Sequence, residues 1–514
     1  MKMVKSLILG SAAGLIAMSG AQAADLPVKA KAVEYVRICS LYGAGFFYIP
    51  GTDTCIKLGG YVRIDTTFNG SIYGQPTYNG DLGQGNRYRD YFVSRSRMAL
   101  TVDTRTATEY GVVRTFGQGD FQFNNFSSFN PAVTGAGSNA LNTPGGGYVA
   151  VEMVFIQFAG FTFGKSASAY ATPWHGYPGN NNSYLMGGHD TVTGVNNIQY
   201  TAQFGNGVSA TVGLDDPTVF NRTALLNLSV ASGATAAGTQ GYGGTHAPDV
   251  VGNIRVDQAW GLFQISGALH EVNASYNTIA AGDTPTALSE ISGHPDTKWG
   301  GSVMAALQIK NIPTGPGDDI KIDVSYAKGD TKNVISTSGA SPSFAMFGGT
   351  GRAGAYQSIG FGQTADAVFL PIAAGGTGDI KLVDAYGVRG AFNHNWDPYW
   401  STSLRGSYSA VRYNGNVLDI TTAKGQWCAN YTAGKVVSAD YTCNPDYNIA
   451  QVGMVTRWTP VKNLTFSAEV GAFFLDQKFT GAAVLAAAAP KPTTVYEFKD
   501  QSTVFLNVRA QRNF

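Results

Sequence analysis

The chain has 514 residues, with 35 Lys and Arg against 34 Asp and Glu, and a formal charge of +1. That balance points neither to nucleic acid nor to attraction by an acidic membrane surface. Charged residues make up only 13%, Gly reaches 65 and Tyr 26, and after the N-terminal segment no run of about eighteen apolar residues occurs, which excludes a helical membrane protein and leaves transmembrane strands or a large exported β protein.

Lys2 and Lys5, an apolar run over 6–18 and the small-residue motif Ala21-Gln22-Ala23 have the three parts of an export signal. The run is too short to span a bilayer as a helix, so removal of 1–23 is expected, with cleavage between Ala23 and Ala24. Residues 24–54 are expected to lead into the first strand, with the Gly- and aromatic-rich stretch 41–50 packing at the periplasmic end. In 56–69 the side chains alternate. Ile56, Leu58, Val62, Ile64 and Phe68 form one face; Lys57, Tyr61, Arg63, Asp65 and Thr67 form the other. Period two means a strand with one apolar and one polar face.

The pattern repeats along the chain. Strands are expected at 90–104, 109–116, 147–158 and 161–165, with a long loop over 117–146 and a minimal turn at Ala159-Gly160. A polar excursion, 166–195, separates these from a clean hairpin, 196–204 and 208–215, joined by Gly205-Asn206-Gly207. Further strands are expected at 250–260, 262–271, 298–309, 320–328, 381–393, 401–413, 449–458, 464–478 and 503–514. The alanine-rich stretch 482–489 is expected as loop or a single helical turn. About sixteen strands result, and their connections alternate short and long. A sandwich has no reason to put every long connection at one end. A membrane barrel with short periplasmic turns and long external loops does, and an even strand number lets the last strand close on the first. The expected fold is therefore all-β: one transmembrane antiparallel barrel over 55–514, with 166–195 folded inward.

Four cysteines in an exported chain suggest disulfides, and three pairings are possible. Cys39 with Cys55 and Cys428 with Cys443 would each close a short loop, as structural staples worth roughly 3 kcal/mol apiece in the chain-entropy model. No metal and no cofactor is expected, because there is no C-x-x-C and no histidine cluster. Enzyme readings lack support: the six histidines fall mostly in expected loops, His270 on a strand has no evident partner, and no phosphate-cradling Gly-Lys motif occurs.

A barrel of this size holds an aqueous lumen, so function rests on what narrows it and what charges line it. The excursion 166–195 carries Tyr170, Trp174, His175, Tyr177, Tyr184, His189 and Asp190. Folded inward, it would face Arg63, Arg95, Arg97 and Arg114 on the polar faces of early strands. The expected constriction set is thus Arg63, Arg95, Arg97, Arg114, His175, Tyr177 and Asp190, with Arg255, Asp257, Lys321, Asp323, Arg389, Arg405, Arg457 and Glu469 further round the lumen. Such an arrangement serves passive diffusion of ions and small hydrophilic solutes. The competing readings are a sugar-type channel, with Tyr170, Trp174, Tyr177 and Tyr184 stacking on rings, and a secreted structural or adhesive β protein.

The stretch Cys39-Ser-Leu-Tyr-Gly-Ala-Gly-Phe-Phe-Tyr-Ile-Pro-Gly-Thr-Asp-Thr-Cys55-Ile-Lys-Leu-Gly-Gly-Tyr-Val-Arg63 resembles the general porins of alphaproteobacterial outer membranes. The run Gly160-Phe-Thr-Phe-Gly-Lys-Ser166 and the closing Arg512-Asn-Phe514 extend the resemblance across nearly the whole chain. It implies a sixteen-stranded, homotrimeric pore in the bacterial outer membrane, surrounded by outer-membrane lipid and lipopolysaccharide. It also implies that 166–195 is the eyelet loop and that Phe514 is the terminal aromatic read by the barrel-assembly machinery.

Overall fold

The computed structural model describes residues 37–70, 87, 91–124, 147–180, 193–218, 221–279, 287–335, 343–487 and 491–514. Sixteen long strands follow one another: β1 (Thr54–Phe68), β2 (Phe92–Thr108), β3 (Gly111–Asn124), β4 (Tyr148–Phe158), β5 (Phe161–Ser166), β6 (Val195–Gly205), β7 (Val208–Asp215) and β8 (Asp249–Gln258). They continue as β9 (Gly261–Val272), β10 (Lys298–Lys310), β11 (Asp319–Lys328), β12 (Asp384–Asn395), β13 (Trp400–Arg412), β14 (Tyr447–Val461), β15 (Leu464–Gln477) and β16 (Gln501–Asn513). Each pairs antiparallel with the next, and β16 pairs with β1 from Tyr61↔Asn513 to Phe68↔Leu506, so the sheet closes without an edge. The short connections, such as 109–110, 159–160, 206–207 and 259–260, lie at one end. The long ones, including 167–194, 216–248, 329–383 and 413–446, lie at the other.

The side-chain alternation sorts outside from inside. On β1, Leu58 and Ile64 are 53% and 55% exposed, whereas Asp65, the residue after Ile64 and on the opposite face of the pleat, is 1% exposed. A strand cannot leave branched aliphatics on a water-facing surface while enclosing carboxylates without a reason. Hydrocarbon around the barrel and water within it supply that reason. At the short-turn end the outer face becomes aromatic: Trp260, Trp396, Tyr399, Trp400 and Trp458 are exposed there, and Trp400 stacks on Trp458 at 5.9 Å. This is the amphipathic girdle of a membrane–water boundary.

The largest departures from expectation are in β2 and β3 and in the alanine-rich stretch. β2 runs on to Thr108 and β3 extends from Gly111 to Asn124, so the tight turn is at 109–110 and part of the expected loop 117–146 is strand. Gly117 and Gly119 disguise that strand, since they leave gaps in the apolar pattern. The first half of the alanine-rich stretch is not loop: Ala482–Leu485 is a strand paired with Thr494–Phe498.

That pair belongs to an external layer. Two four-stranded sheets and the helix Ala423–Thr432 form over the mouth. Thr422 caps the helix by accepting from Gly425 N at 3.1 Å, and Cys428 is bonded to Cys443. Near their external ends the inner faces of β11 to β16 turn apolar (Ala327, Ala385, Val411, Ile449, Phe473, Phe505) and pack against Phe344, Phe361, Trp427 and Tyr431 of this layer. At the opposite end Cys39 is bonded to Cys55, and the strand Phe47–Tyr48 lies beside β1.

Candidate functional site

The connection after β5 leaves the wall at Ser166, whose hydroxyl donates to Asn197 Oδ1 at 2.9 Å. The segment 167–180 then crosses the lumen along the far wall, and inward-facing polar side chains take up its main chain. Asn253 Nδ2 on β8 donates to Ala169 O at 2.6 Å, and Gln264 Nε2 on β9 donates to Ala171 O at 2.7 Å. Tyr170 packs on Val251, Ala268 and Met304; Trp174 and Tyr177 pack on Ala306 and Ala391. The Tyr177 hydroxyl donates to Asp323 of β11, which also accepts from Arg389 Nε at 2.8 Å.

By Asn180 the segment has reached β15 and β16. Asn180 N donates to Glu469 Oε2 of β15 at 2.6 Å, Asn180 Nδ2 donates to Asn507 Oδ1 of β16 at 2.8 Å, and Ser467 Oγ donates to Asn180 Oδ1 at 2.9 Å. Glu469 is at the same time paired with Arg405, whose Nε stands 3.0 Å from Oε1. Gly179 lies under this pair: a Cβ there would meet Arg405 Nε at 2.7 Å and Glu469 Oε1 at 3.0 Å. A buried main chain must find partners for its N–H and C=O groups, and here the barrel wall provides them.

Facing the described part of the segment are β14, β15, β16, β1, β2 and β3. Strand register stacks two rungs of inward side chains there. One runs Arg97–Arg63–Gln511–Thr465; the next runs Arg95–Asp65–Arg509–Ser467–Arg457. Residues directly opposite on paired strands stand about 5 Å apart, so the guanidiniums form a sheet of positive charge laced by carboxylates. Arg95 Nη2 is 2.8 Å from Asp65 and Arg509 Nη2 is 3.3 Å from the same carboxylate. Arg97 Nη1 is 2.7 Å from Asp120, with Glu152 at 3.9 Å. Arg63 Nε donates to Gln511 Oε1 at 2.8 Å and its guanidinium lies 4.3 Å over the Tyr61 ring. Between this wall and His175, Gly179 and Asn180 of the crossing segment is a cavity of about 360 Å³, lined also by Tyr61, Arg63, Arg97, Arg457 and Arg509.

The structure thus brings Arg63, Arg97 and His175 to one cavity, with Arg95 buried beside it on Asp65. Arg114 is elsewhere: it sits toward the 109–110 turn and pairs with Asp103 at 3.0 Å, next to Arg105. Tyr177 is buried in its contact with Asp323 and Trp174. Asp190, Tyr184 and His189 lie outside the described residues, as do Ala23 and Ala24. Phe514 ends the chain beside Gly60, its N donating to Gly60 O at 3.1 Å. Alternation along single strands assigns Arg457 to the general lumen and does not single out Arg509. Their place at the cavity follows from closure of β16 on β1, which no single strand reports.

A closed sixteen-stranded barrel with an apolar exterior, an aromatic girdle, a charged lumen and all long connections at one end defines the porin class of outer-membrane barrels. The chain belongs to the porin subfamily, whose family model matches residues 25–507. It is 37% identical over 263 residues to Porin Omp2b of Brucella suis, and equally identical over 264 residues to Porin Omp2b of Brucella melitensis. Those matches cover 50% of this chain and 63% of the relatives, so the chain spans under two thirds of their length. The crystal structure of the outer membrane channel DcaP of Acinetobacter baumannii superposes with a TM-score of 0.54 at 14% identity, covering 91% of this chain and 99% of that one, a likeness of fold alone.

Proposed function

We propose that the protein forms a water-filled channel through the outer membrane for passive diffusion of ions and small hydrophilic solutes. In this reading segment 166–195 makes the constriction and the rungs of Arg63, Arg95, Arg97 and Arg509 make the wall it faces. What supports this reading is the set of hydrogen bonds that ties segment 167–180 to inward side chains of β8, β9, β15 and β16. Polar groups lining a closed barrel keep it wet, and a charged narrow point sorts solutes by size and sign.

The sugar-channel reading needs exposed aromatics at the narrow point; of its four, Tyr170, Trp174 and Tyr177 are buried, and Tyr184 lies outside the described residues. Contacts with lipopolysaccharide, assembly as a homotrimer and recognition of Phe514 by assembly machinery accompany the proposal as the family's expected partners. Refolded protein added to a planar bilayer should give stepwise, ohmic current. Folded protein that inserts but yields no steps would remove the proposal.

A further inference from the structure

We infer that the cavity beside the crossing segment is an anion subsite, built to hold a carboxylate or phosphate group of a passing solute between His175 and the guanidiniums of Arg63, Arg457 and Arg509. The inference rests on the channel reading above and gives it a solute class. Its first support is a count of charge at the cavity wall. Four arginines line it, Arg63, Arg97, Arg457 and Arg509, against one carboxylate, Asp120.

The second support is where the nearby carboxylates are already committed. Asp120 accepts from Arg97 at 2.7 Å, Asp65 is shared by Arg95 and Arg509, and Glu469 is taken by Arg405 and by Asn180 N. Among the described residues, Arg63 and Arg457 hydrogen-bond only to neutral groups: Arg63 Nε to Gln511 Oε1, and Arg457 Nη1 to Ser403 Oγ at 2.8 Å. Both guanidiniums therefore keep N–H donors for a ligand, in the planar fork that suits carboxylate and phosphate oxygens. The third support is composition. The described part of the crossing segment, 167–180, carries no acid. On the side of the crossing segment the cavity is flanked by His175, Gly179 and Asn180, which add no carboxylate to the one from Asp120.

The volume of about 360 Å³ admits a small organic acid with part of its hydration shell. Occupancy must be weak, since a solute that binds tightly would not leave the pore.

The test uses the full-length protein in planar bilayers. In a dilute KCl gradient the reversal potential should favour chloride, and succinate should block the chloride current saturably. Arg63→Gln with Arg457→Gln should cut the chloride preference by roughly threefold per charge removed and abolish the saturable block. Arg63→Lys with Arg457→Lys, which keeps charge but not the fork, should retain the preference and weaken the block. Arg352→Gln, on the external layer, controls for charge removed far from the lumen. Cation preference, or ohmic steps with no block by succinate, would overturn the inference and leave the channel reading standing. A block that persists unchanged in the double Gln variant would overturn it as well, because the anion would then bind elsewhere. Absence of any steps would instead overturn the channel reading beneath it.

Discussion

At the scale of single residues, the lumen is organised by buried pairs whose loss has structural as well as electrostatic consequences. Glu469 holds Arg405 on one oxygen and the main chain of the crossing segment, at Asn180 N, on the other. Glu469→Gln keeps an acceptor but leaves Arg405 without its counter-charge. Breaking a buried pair on one side costs about 3 kcal/mol, because the remaining charge stays desolvated. The variant should therefore unfold at lower temperature in detergent, and its single-channel current should become noisier as segment 167–180 loosens. An unchanged melting profile with unchanged noise would show that Glu469 tethers nothing. The arginines of β1 and β2 were legible in the sequence because alternation alone assigns Arg63, Arg95 and Arg97 to the polar face. What alternation could not say is which polar residues meet: Arg509 reaches Asp65 only through closure, and Arg114 departs from the set because its register sets it against Arg105 and Gln157.

At the scale of elements, the short turns carry sharp local requirements. In the β6–β7 hairpin, Asn206 and Gly207 adopt φ of 49° and 72°, the pair of positive angles that lets a two-residue turn follow strand twist. A Cβ on Gly207 would lie 1.9 Å from Asp257 O, and Asp257 N donates to Gly207 O at 2.9 Å. Gly207→Ala must shift the hairpin relative to β8 and should cost about 1–3 kcal/mol, measurable as a reduced folded fraction after urea titration in lipid. A longer turn, 311–318, is held by Asp318. Its burial pushes the carboxyl up. Hydrogen bonds from Asn395 N at 2.8 Å, from His394 Nδ1 at 2.6 Å and from Thr314 Oγ1 at 2.7 Å outweigh that and hold it at about 2. Because the folded value lies below the ordinary one near 3.8, this stabilisation is present above about pH 4 and fades as pH falls toward 2. Asp318→Asn should therefore lower stability at pH 6 and do so much less at pH 2, by thermal melts at both values. Turns of this kind announce themselves through Gly, Asn and Pro, which is why strand 208–215 matches its expected bounds and its partner, expected at 196–204, differs by one residue at each end. The external layer does not, since Ala482–Leu485 is too short and too uniform for any periodicity to register.

At the scale of the whole molecule, one physical condition sets the rest: the outer surface faces hydrocarbon and the inner surface faces water. The two surfaces can be compared at adjacent positions of one strand. On β7, Val212 points outward and is 58% exposed, while Thr211 points into the lumen and is bonded through its hydroxyl to Thr201 at 3.0 Å. In a soluble protein an arginine at Val212 would be the milder change, because exposed positions accept charge within about 0.5 kcal/mol. In a membrane barrel the order reverses. An arginine on the lipid face near the bilayer midplane costs about 2–4 kcal/mol, whereas one facing the aqueous lumen remains solvated and loses little beyond the Thr201 contact, about 1 kcal/mol. Val212→Arg should thus fold poorly into lipid vesicles, and Thr211→Arg should fold nearly as well as the parent. The contrast separates a membrane fit from mere loss of a side chain, since Val212→Thr removes the same apolar group without bringing a charge into lipid and should fall between them. Equal folding of Val212→Arg and the parent chain in vesicles would mean that no hydrocarbon surrounds β7. The lumen, its arginine rungs and the channel they line would then lose their physical basis together.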